Sequence, residues 1–214
     1  MSIKEKYSVK RIKKNQTHDW ILNKHYAKRL PSISFAFGLF DNDILVGVLT
    51  IGKPASPSLC VGICGEKWSH AVYELNRLVT NDDLDKNALS YFVSKALSFL
   101  RAGVTIVVSY ADTDMGHNGY IYQATNWIYT GKTKERTDIG TNDGSHSRHY
   151  DKSLDYSENR VKRSSKHRYV YFCGQKRWIK KAMNEFKYKQ MPYPKGDNER
   201  YDASYKPQVQ TTLF

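Results

Sequence analysis

The stretch "HAVYELNRLVTNDDLDKNALSYFVSKALSFLRAGVTIVVSY", residues 70–110, decides the fold. Its first part, "HAVYELNRLVT", reads as a strand, and the acidic turn "NDDLD" ends it. In "KNALSYFVSKALSFL" the residues Leu89, Phe92, Val93, Ala96, Leu97 and Leu100 recur at i, i+3, i+4, i+7 spacing, which predicts a helix with one face in the core. Gly103 stops that helix. "VTIVVSY" is then too apolar to face water on either side and reads as a buried strand. Strand, helix and strand in this order form a crossover unit, which is right-handed in nearly all sheets.

Working outward, "SISFAFGLFDNDILVGVLTIG" is two apolar runs around Asp41-Asn42-Asp43, the pattern of a hairpin. Ile33, Phe35, Phe37 and Leu39 line one of its faces, and the other is small and uncharged enough to be covered as well. Before it, Trp20, Ile21 and Lys24 sit at helical spacing behind Asn15 or Thr17 as caps, which predicts a short helix. After residue 110 the expected elements are a short helix at "GYIYQAT", strands at "WIYTGKT" and "HRYVYFCG", and a basic helix at "QKRWIKKAMNEF". Residues 132–168 are polar and read as a long substrate-side loop. The expected organisation is one α/β domain over residues 1–191, a central mixed twisted sheet flanked by helices, with an extended tail from 192 to 214.

Lysine and arginine total 34 against 21 acidic residues, a net charge of +13 that calls for a polyanionic partner. Met1 to Lys14 is basic without the apolar segment of a signal peptide, and no window approaches the ~20 apolar residues of a membrane span. Cys60, Cys64 and Cys173 form no framework spacing and are expected to be thiols in a reducing cytoplasm.

The element order resembles the GNAT acyltransferase fold, and the likeness becomes specific at "LNRLVT". In that family the corresponding strand pairs its backbone with the pantetheine arm of acetyl-CoA, which points to Arg77, Leu78 and Val79. The helix opening at Lys86, Asn87 and Ser90 would offer unpaired N–H groups to the pyrophosphate. The family's usual glycine turn is missing here, which puts the CoA ligand in question. Tyr122 stands where GNAT enzymes carry the acid for the departing thiolate, with Asn126-Trp127 in place of a Gly-aromatic pair. Asp112 lies just past the buried strand, at the end where open sheets bind ligands.

"HYAKRLPSISFAFGLFDND", "GKPASPSLCVGICGE", "VYELNRLV", "SYADTDMGHNGYIYQATNWIYTGKTKERTD" and "SRHYD" together resemble the phage Mom family, from about Asn23 to Asp151 and more loosely through "KHRYVYFCG". The resemblance implies a GNAT-like core, double-stranded DNA as partner, the exocyclic amine of adenine as acceptor, and protection of phage DNA from restriction in the host cytoplasm. The implied product carries a carbamoylmethyl group. Attack of an amine on a thioester carbonyl gives only an amide, so that product demands an unusual small-molecule donor or metal-assisted chemistry.

With the resemblance, His25 and Tyr26 join Asp112 and Tyr122 as catalytic candidates, His25 as a base titrating near neutral pH. His25 and Asp112 are also candidate ligands for iron or another first-row metal. Glu74 is a spare base that has Arg77 as an alternative partner. Cys60, Cys64 and His70 lack a fourth zinc ligand, and small buried thiols fit that segment better. For DNA, Lys28 and Arg29 adjoin the expected site, and Arg168, Lys176, Arg177, Lys180 and Lys181 form a basic block. Tyr169, Tyr171, Trp178 and Tyr188 interleave with it, as stacking rings or as core. An amine paired inside a duplex requires extrusion of the base, with Trp127, Tyr122 or Tyr110 as the ring that receives it. Two other classes remain open: a conventional N-acetyltransferase acting on a protein or small amine, and a non-catalytic DNA-binding protein.

Overall fold

The computed structural model of the protein describes residues 2–100, 103–139, 153 and 160–197. A seven-stranded sheet in the order β1-β2-β3-β4-β5-β9-β6 forms its centre. Its strands are β1 (Tyr7–Arg11), β2 (Phe35–Asp41), β3 (Ile44–Gly52), β4 (Val72–Thr80), β5 (Val104–Asp112), β6 (Ile128–Lys132) and β9 (Lys166–Gly174). A separate two-stranded ribbon pairs β7 (Arg136–Ile139) with β8 (Arg160–Arg163). The helices are α1 (Ile3–Lys6), α2 (Pro57–Cys64), α3 (Glu66–Ser69), α4 (Ala88–Ser98), α5 (Tyr120–Ala124) and α6 (Lys176–Asn184). This is the mixed α/β sheet flanked by helices that the sequence leads one to expect.

The crossover unit forms as read: β4 and β5 are parallel, with α4 between them in the chain. Ala88, Phe92, Val93, Ala96 and Leu97 bury one face of α4, joined by Leu100 just past its end, against Phe37, Leu39, Leu49, Leu75 and Val107. Each large apolar side chain so removed from water contributes roughly 1.5–3 kcal/mol. Leu89, expected in this core, lines a cavity instead. The opposite face of the sheet is covered by α2, α3 and α6, around Ile63, Cys64, Trp68, Ile106, Val108, Val170 and Ala182.

Three expectations change. The helix predicted near Trp20 is a 3₁₀ turn, Lys14–Thr17, followed by a π-helical turn, Trp20–Lys24. Its closing bond runs from the His25 N–H to the Trp20 carbonyl at 3.1 Å, and Thr17 donates its hydroxyl to Lys14 rather than capping. Strand β1 and helices α2 and α3 carry no clear periodicity and were not legible in the sequence. The loop expected over 132–168 contains the β7–β8 ribbon; its residues 140–152 and 154–159, including "SRHYD", lie outside the described residues. The start of the tail follows α5 and β6: Tyr193 donates its hydroxyl to the Trp127 carbonyl at 2.7 Å, and Asn118 donates to the Asp197 carbonyl at 2.6 Å. The rest of the tail, 198–214, lies outside the described residues. Among the described residues no helix is long and apolar enough to cross a membrane.

Candidate active site

β4 and β5 pair only through Val72–Ile106, Tyr73–Val107 and Glu74–Val108, and then part. β4 runs on to Thr80 against β3 alone, while β5 runs on to Asp112 against β9. Beyond Leu75, whose carbonyl accepts the Ser109 hydroxyl, β4 has no strand partner on the side of the gap among the described residues. A cavity of about 480 Å³ fills that gap, walled by β4 from Leu75 to Thr80, by the start of α4, by Tyr110 and Ala111 of β5, by α5, and by Lys24, His25 and Tyr26.

Of the residues singled out in the sequence, His25, Tyr26, Tyr122, Arg77, Leu78, Val79, Lys86, Asn87 and Ser90 all line this cavity. Tyr122 is buried, and its hydroxyl lies 2.7 Å from Ser109 Oγ, which is itself 2.8 Å from the Leu75 carbonyl. Ser109 thus ties the phenol to the point where the strands part. Burial pushes the Tyr122 phenol far above its ordinary value, so it stays protonated. Tyr26 is likewise held neutral, by burial and then by the negative charge of Asp112.

The loop that carries His25 and Tyr26 is strapped to the sheet. Asn76 donates to the Ser32 carbonyl at 2.8 Å, Arg77 to the Arg29 carbonyl at 2.9 Å, and the Ser34 N–H to Ile51 at 2.8 Å. Gly52 permits this approach, because a Cβ there would overlap the backbone of Ser32. Gly52→Ala is expected to cost about 3 kcal/mol in a urea melt, near the upper end for overpacking, and to displace the His25 loop.

Two polar atoms of residues in the wall are orphaned. Among the described residues, neither Arg77 Nε nor Asn81 Oδ1 has a hydrogen-bond partner, although both are buried and both residues line the cavity. The start of α4 is less inviting to a pyrophosphate than the sequence suggests. Asn87 takes up a left-handed conformation, the Ala88 N–H is donated to the Asp85 carbonyl, and Asp82, Asp83 and Asp85 crowd the turn.

His25 departs from its expected role. Its Nδ1 accepts the Ala27 N–H at 3.0 Å, so the neutral ring carries its proton on Nε2. Burial, followed by the charges of Arg77, His117 and Lys166, lowers its pKa to about 3. The expectation of a base titrating near neutrality is corrected: His25 is a neutral ring stacked on Tyr26 at 4.3 Å.

Asp112 does not line the cavity. It accepts from Ser164 Oγ at 2.5 Å and from the Asp114 N–H at 3.2 Å, and it pairs with Lys166. Burial works to raise its carboxyl, but the bonds from Lys166 and Ser164 outweigh it and hold the group below the usual carboxylate range. Its role in the chain is to cap the 3₁₀ turn Thr113–Met115, which leads to His117 in the cavity wall. His25 Nδ1 is occupied, both Asp112 oxygens are engaged, and among the described residues no three His, Cys, Asp or Glu side chains converge as ligands. Cys60 and Cys64 lie on α2, with Cys64 in the core.

Glu74, like Asp112, does not itself line the cavity. It is the last β4 residue paired to β5, and its field reaches Tyr26, Tyr110 and Tyr122, all in the cavity wall. Burial raises its carboxyl, opposed by Arg77 and Lys166. No hydrogen bond or ion pair engages it among the described residues.

The stacking candidates separate. Trp127 is 1% exposed and Tyr169 fully buried, so both are core, and Trp178 packs edge-on against Trp68. The Tyr188 ring is covered by the Arg168 guanidinium at 3.6 Å. Tyr110 lines the cavity, and Tyr120, not selected from the sequence, stands at its rim 69% exposed. Lys176, Arg177, Lys180 and Lys181 remain a solvent-facing row on α6.

The protein-family comparison matches residues 6–195 to the Mom protein family. The chain belongs to that family. A curated Mom relative, the methylcarbamoylase mom of Escherichia phage Mu, is 35% identical over 115 residues, covering 52% of this chain and 48% of the relative. The chain thus spans about half the length of that curated Mom protein. Solved structures similar to this Mom chain include the Bacillus subtilis acetyltransferase in complex with CoA (13% identity, 77% of this chain and 96% of the other, TM-score 0.41). An N-acetyltransferase from Staphylococcus aureus Mu50 matches at 13% identity, 77% and 97% coverage and TM-score 0.46. The ribosomal-protein-S18-alanine N-acetyltransferase of Escherichia coli matches at 9%, 79% and 95%, and TM-score 0.43.

Proposed function

We propose that this Mom-family chain is a transferase that places a methylcarbamoyl group on the exocyclic amine of adenine in double-stranded DNA, in the cytoplasm of the infected host, and so shields phage DNA from restriction. The observation that carries this reading is the cavity at the parting of β4 and β5, which lies within the residues matched to the Mom family and is walled in part by the stretches that resemble it. The edge of β4 beyond Leu75 suits an extended donor arm such as that of acetyl-CoA or a related carrier, with Arg77, Leu78 and Val79 against it; the group delivered must be attached through its methylene, because a thioester carbonyl would give only an amide. Lys86, Asn87 and Ser90 stand where its polar end would emerge. The acidic turn beside them favours a donor whose phosphates lie elsewhere or are missing.

In the proposed reaction the adenine nitrogen bonds to the methylene of a carbamoylmethyl donor as that carbon parts from its leaving group, and Glu74, set behind the cavity wall, takes the amine proton through a bridging water. Glu74 is chosen over Asp112 because a depressed, salt-bridged carboxylate is the weaker base. Tyr122, protonated and oriented by Ser109, donates to the leaving group. His25 and Tyr26 form the wall against which the extruded purine settles, with the His25 Nε2–H as a donor to it. The α6 row, with Lys28, Arg29 and Arg168, supplies charge for the DNA backbone.

Expression in bacteria, followed by digestion of their DNA to nucleosides and mass spectrometry, tests the proposal. A modified deoxyadenosine is expected, and it disappears in Tyr122→Phe. An acetylated protein or small amine with unmodified DNA would favour the conventional N-acetyltransferase.

A further inference from the structure

We infer that the β7–β8 ribbon is a groove-reading element that enters the major groove of duplex DNA beside the target adenine; this rests on the DNA reading above. The register pairs Arg136 with Arg163, Thr137 with Lys162, Asp138 with Val161 and Ile139 with Arg160. Cross-strand partners share a face. One face therefore carries Arg136, Arg163, Asp138 and Val161, and the other carries Thr137, Lys162, Ile139 and Arg160. Residues 134–139 and 160–166 hold six basic side chains against two acidic ones, and Arg136, Arg160 and Lys162 are exposed. A basic pair of strands set apart from the main sheet, with no apolar face to bury, has its natural complement in a polyanion.

The shape narrows the choice. The major groove of B-form DNA admits a two-stranded ribbon, and adenine presents its exocyclic amine on that side. The groove of duplex RNA is too deep and narrow for side chains to read. On the first face Asp138 holds both arginines, contacting Arg136 Nε at 3.3 Å and Arg163 Nε at 3.2 Å. Contacts through Nε fix each fork's direction and leave its ends for acceptors such as guanine O6 and N7. Lys162, paired to Glu135 at 2.9 Å, and Arg160 occupy the second face, toward the phosphates.

Position ties the ribbon to the chemistry. The three residues after β8 run directly into Asp112: Ser164 and Lys166 bond its carboxylate, and Thr113 donates its hydroxyl to the Ser165 carbonyl at 2.7 Å. Asp112 caps the turn that leads to His117 and Tyr120 at the cavity wall. The carboxylate expected to do chemistry is thereby the joint between groove reader and cavity.

The test compares wild-type protein with Arg160→Gln/Lys162→Gln and Arg136→Gln/Arg163→Gln, by fluorescence anisotropy on a short duplex across a salt series and by dimethyl sulfate footprinting. The reagent methylates guanine N7 in the major groove and adenine N3 in the minor groove. Each double variant is expected to weaken binding at least about tenfold, with wild-type protection of guanine N7 lost and the melting temperature unchanged. The first variant also flattens the salt dependence by nearly two in slope if both charges meet phosphates. Unchanged affinity and N7 protection, protection confined to adenine N3, or equal losses on duplex RNA would overturn the ribbon's role while leaving the DNA reading intact. A wild-type protein with no affinity for duplex DNA would remove both.

Discussion

Glu74→Gln is expected to lower the rate of adenine modification at saturating DNA by about 10²–10⁴-fold, the range for loss of a general base, with the DNA dissociation constant within about twofold of wild type. The substitution keeps size and hydrogen-bonding capacity and removes only the ability to take a proton. Glu74 sits at the last rung of the β4–β5 ladder, among Tyr26, Tyr110 and Tyr122, so a change there is felt in the cavity and not on α6. Its carboxyl is raised by burial, and the base form appears only as pH passes that raised value. The wild-type rate should therefore show an acidic limb above the ordinary carboxylate range, absent from the residual activity of Glu74→Gln. A rate equal to wild type would exclude Glu74 as proton acceptor. Asp112→Asn offers the contrast: breaking the Lys166 and Ser164 contacts should loosen the joint to the ribbon, raising KM for DNA more than it lowers kcat.

The readability of this chain follows the range of the interactions involved. The crossover unit and the hairpin were legible because period and burial agree: α4 has a continuous apolar stripe, and β3 and β5 are covered on both faces. The ribbon was not, since Arg136, Arg160 and Lys162 face water on both strands and give no alternation. β1 was hidden for a related reason, because only Tyr7 and Val9 of its five residues are buried. At the site, motif position located the cavity residues but not their protonation. The shift of His25 depends on burial and on Arg77, His117 and Lys166, which are distant in sequence. The fate of Asp112 was equally invisible, since its partners Ser164 and Lys166 lie more than fifty residues downstream. Tyr120 and Ser109 were passed over because an exposed ring and a strand serine carry no signal until the fold brings them to the gap.

The neutral His25 makes a second strong demand, on stability. Its pKa is lowered from 6.5 to about 3 in the folded protein, while the unfolded chain titrates near 6.5. Between those values the unfolded state binds a proton that the folded state refuses. The contribution is therefore fully present above about pH 6.5 and is lost as pH falls toward 3, by on the order of 4 kcal/mol. Urea unfolding at pH 7 and pH 4 should show the wild-type protein losing most of that amount. In His25→Gln the pH 7 value should drop modestly through poorer packing on Tyr26, but the loss between pH 7 and pH 4 should shrink. Other groups titrate in the same window, among them His167, lowered by burial and by Lys132. The difference between the two proteins, rather than either curve alone, isolates His25. Glutamine keeps an N–H donor near the position of Nε2, so the variant should retain part of its activity if the ring acts by donating a hydrogen bond. Parallel pH curves for the two proteins would mean that His25 accepts a proton in the folded state without penalty, and the role of base would return to it.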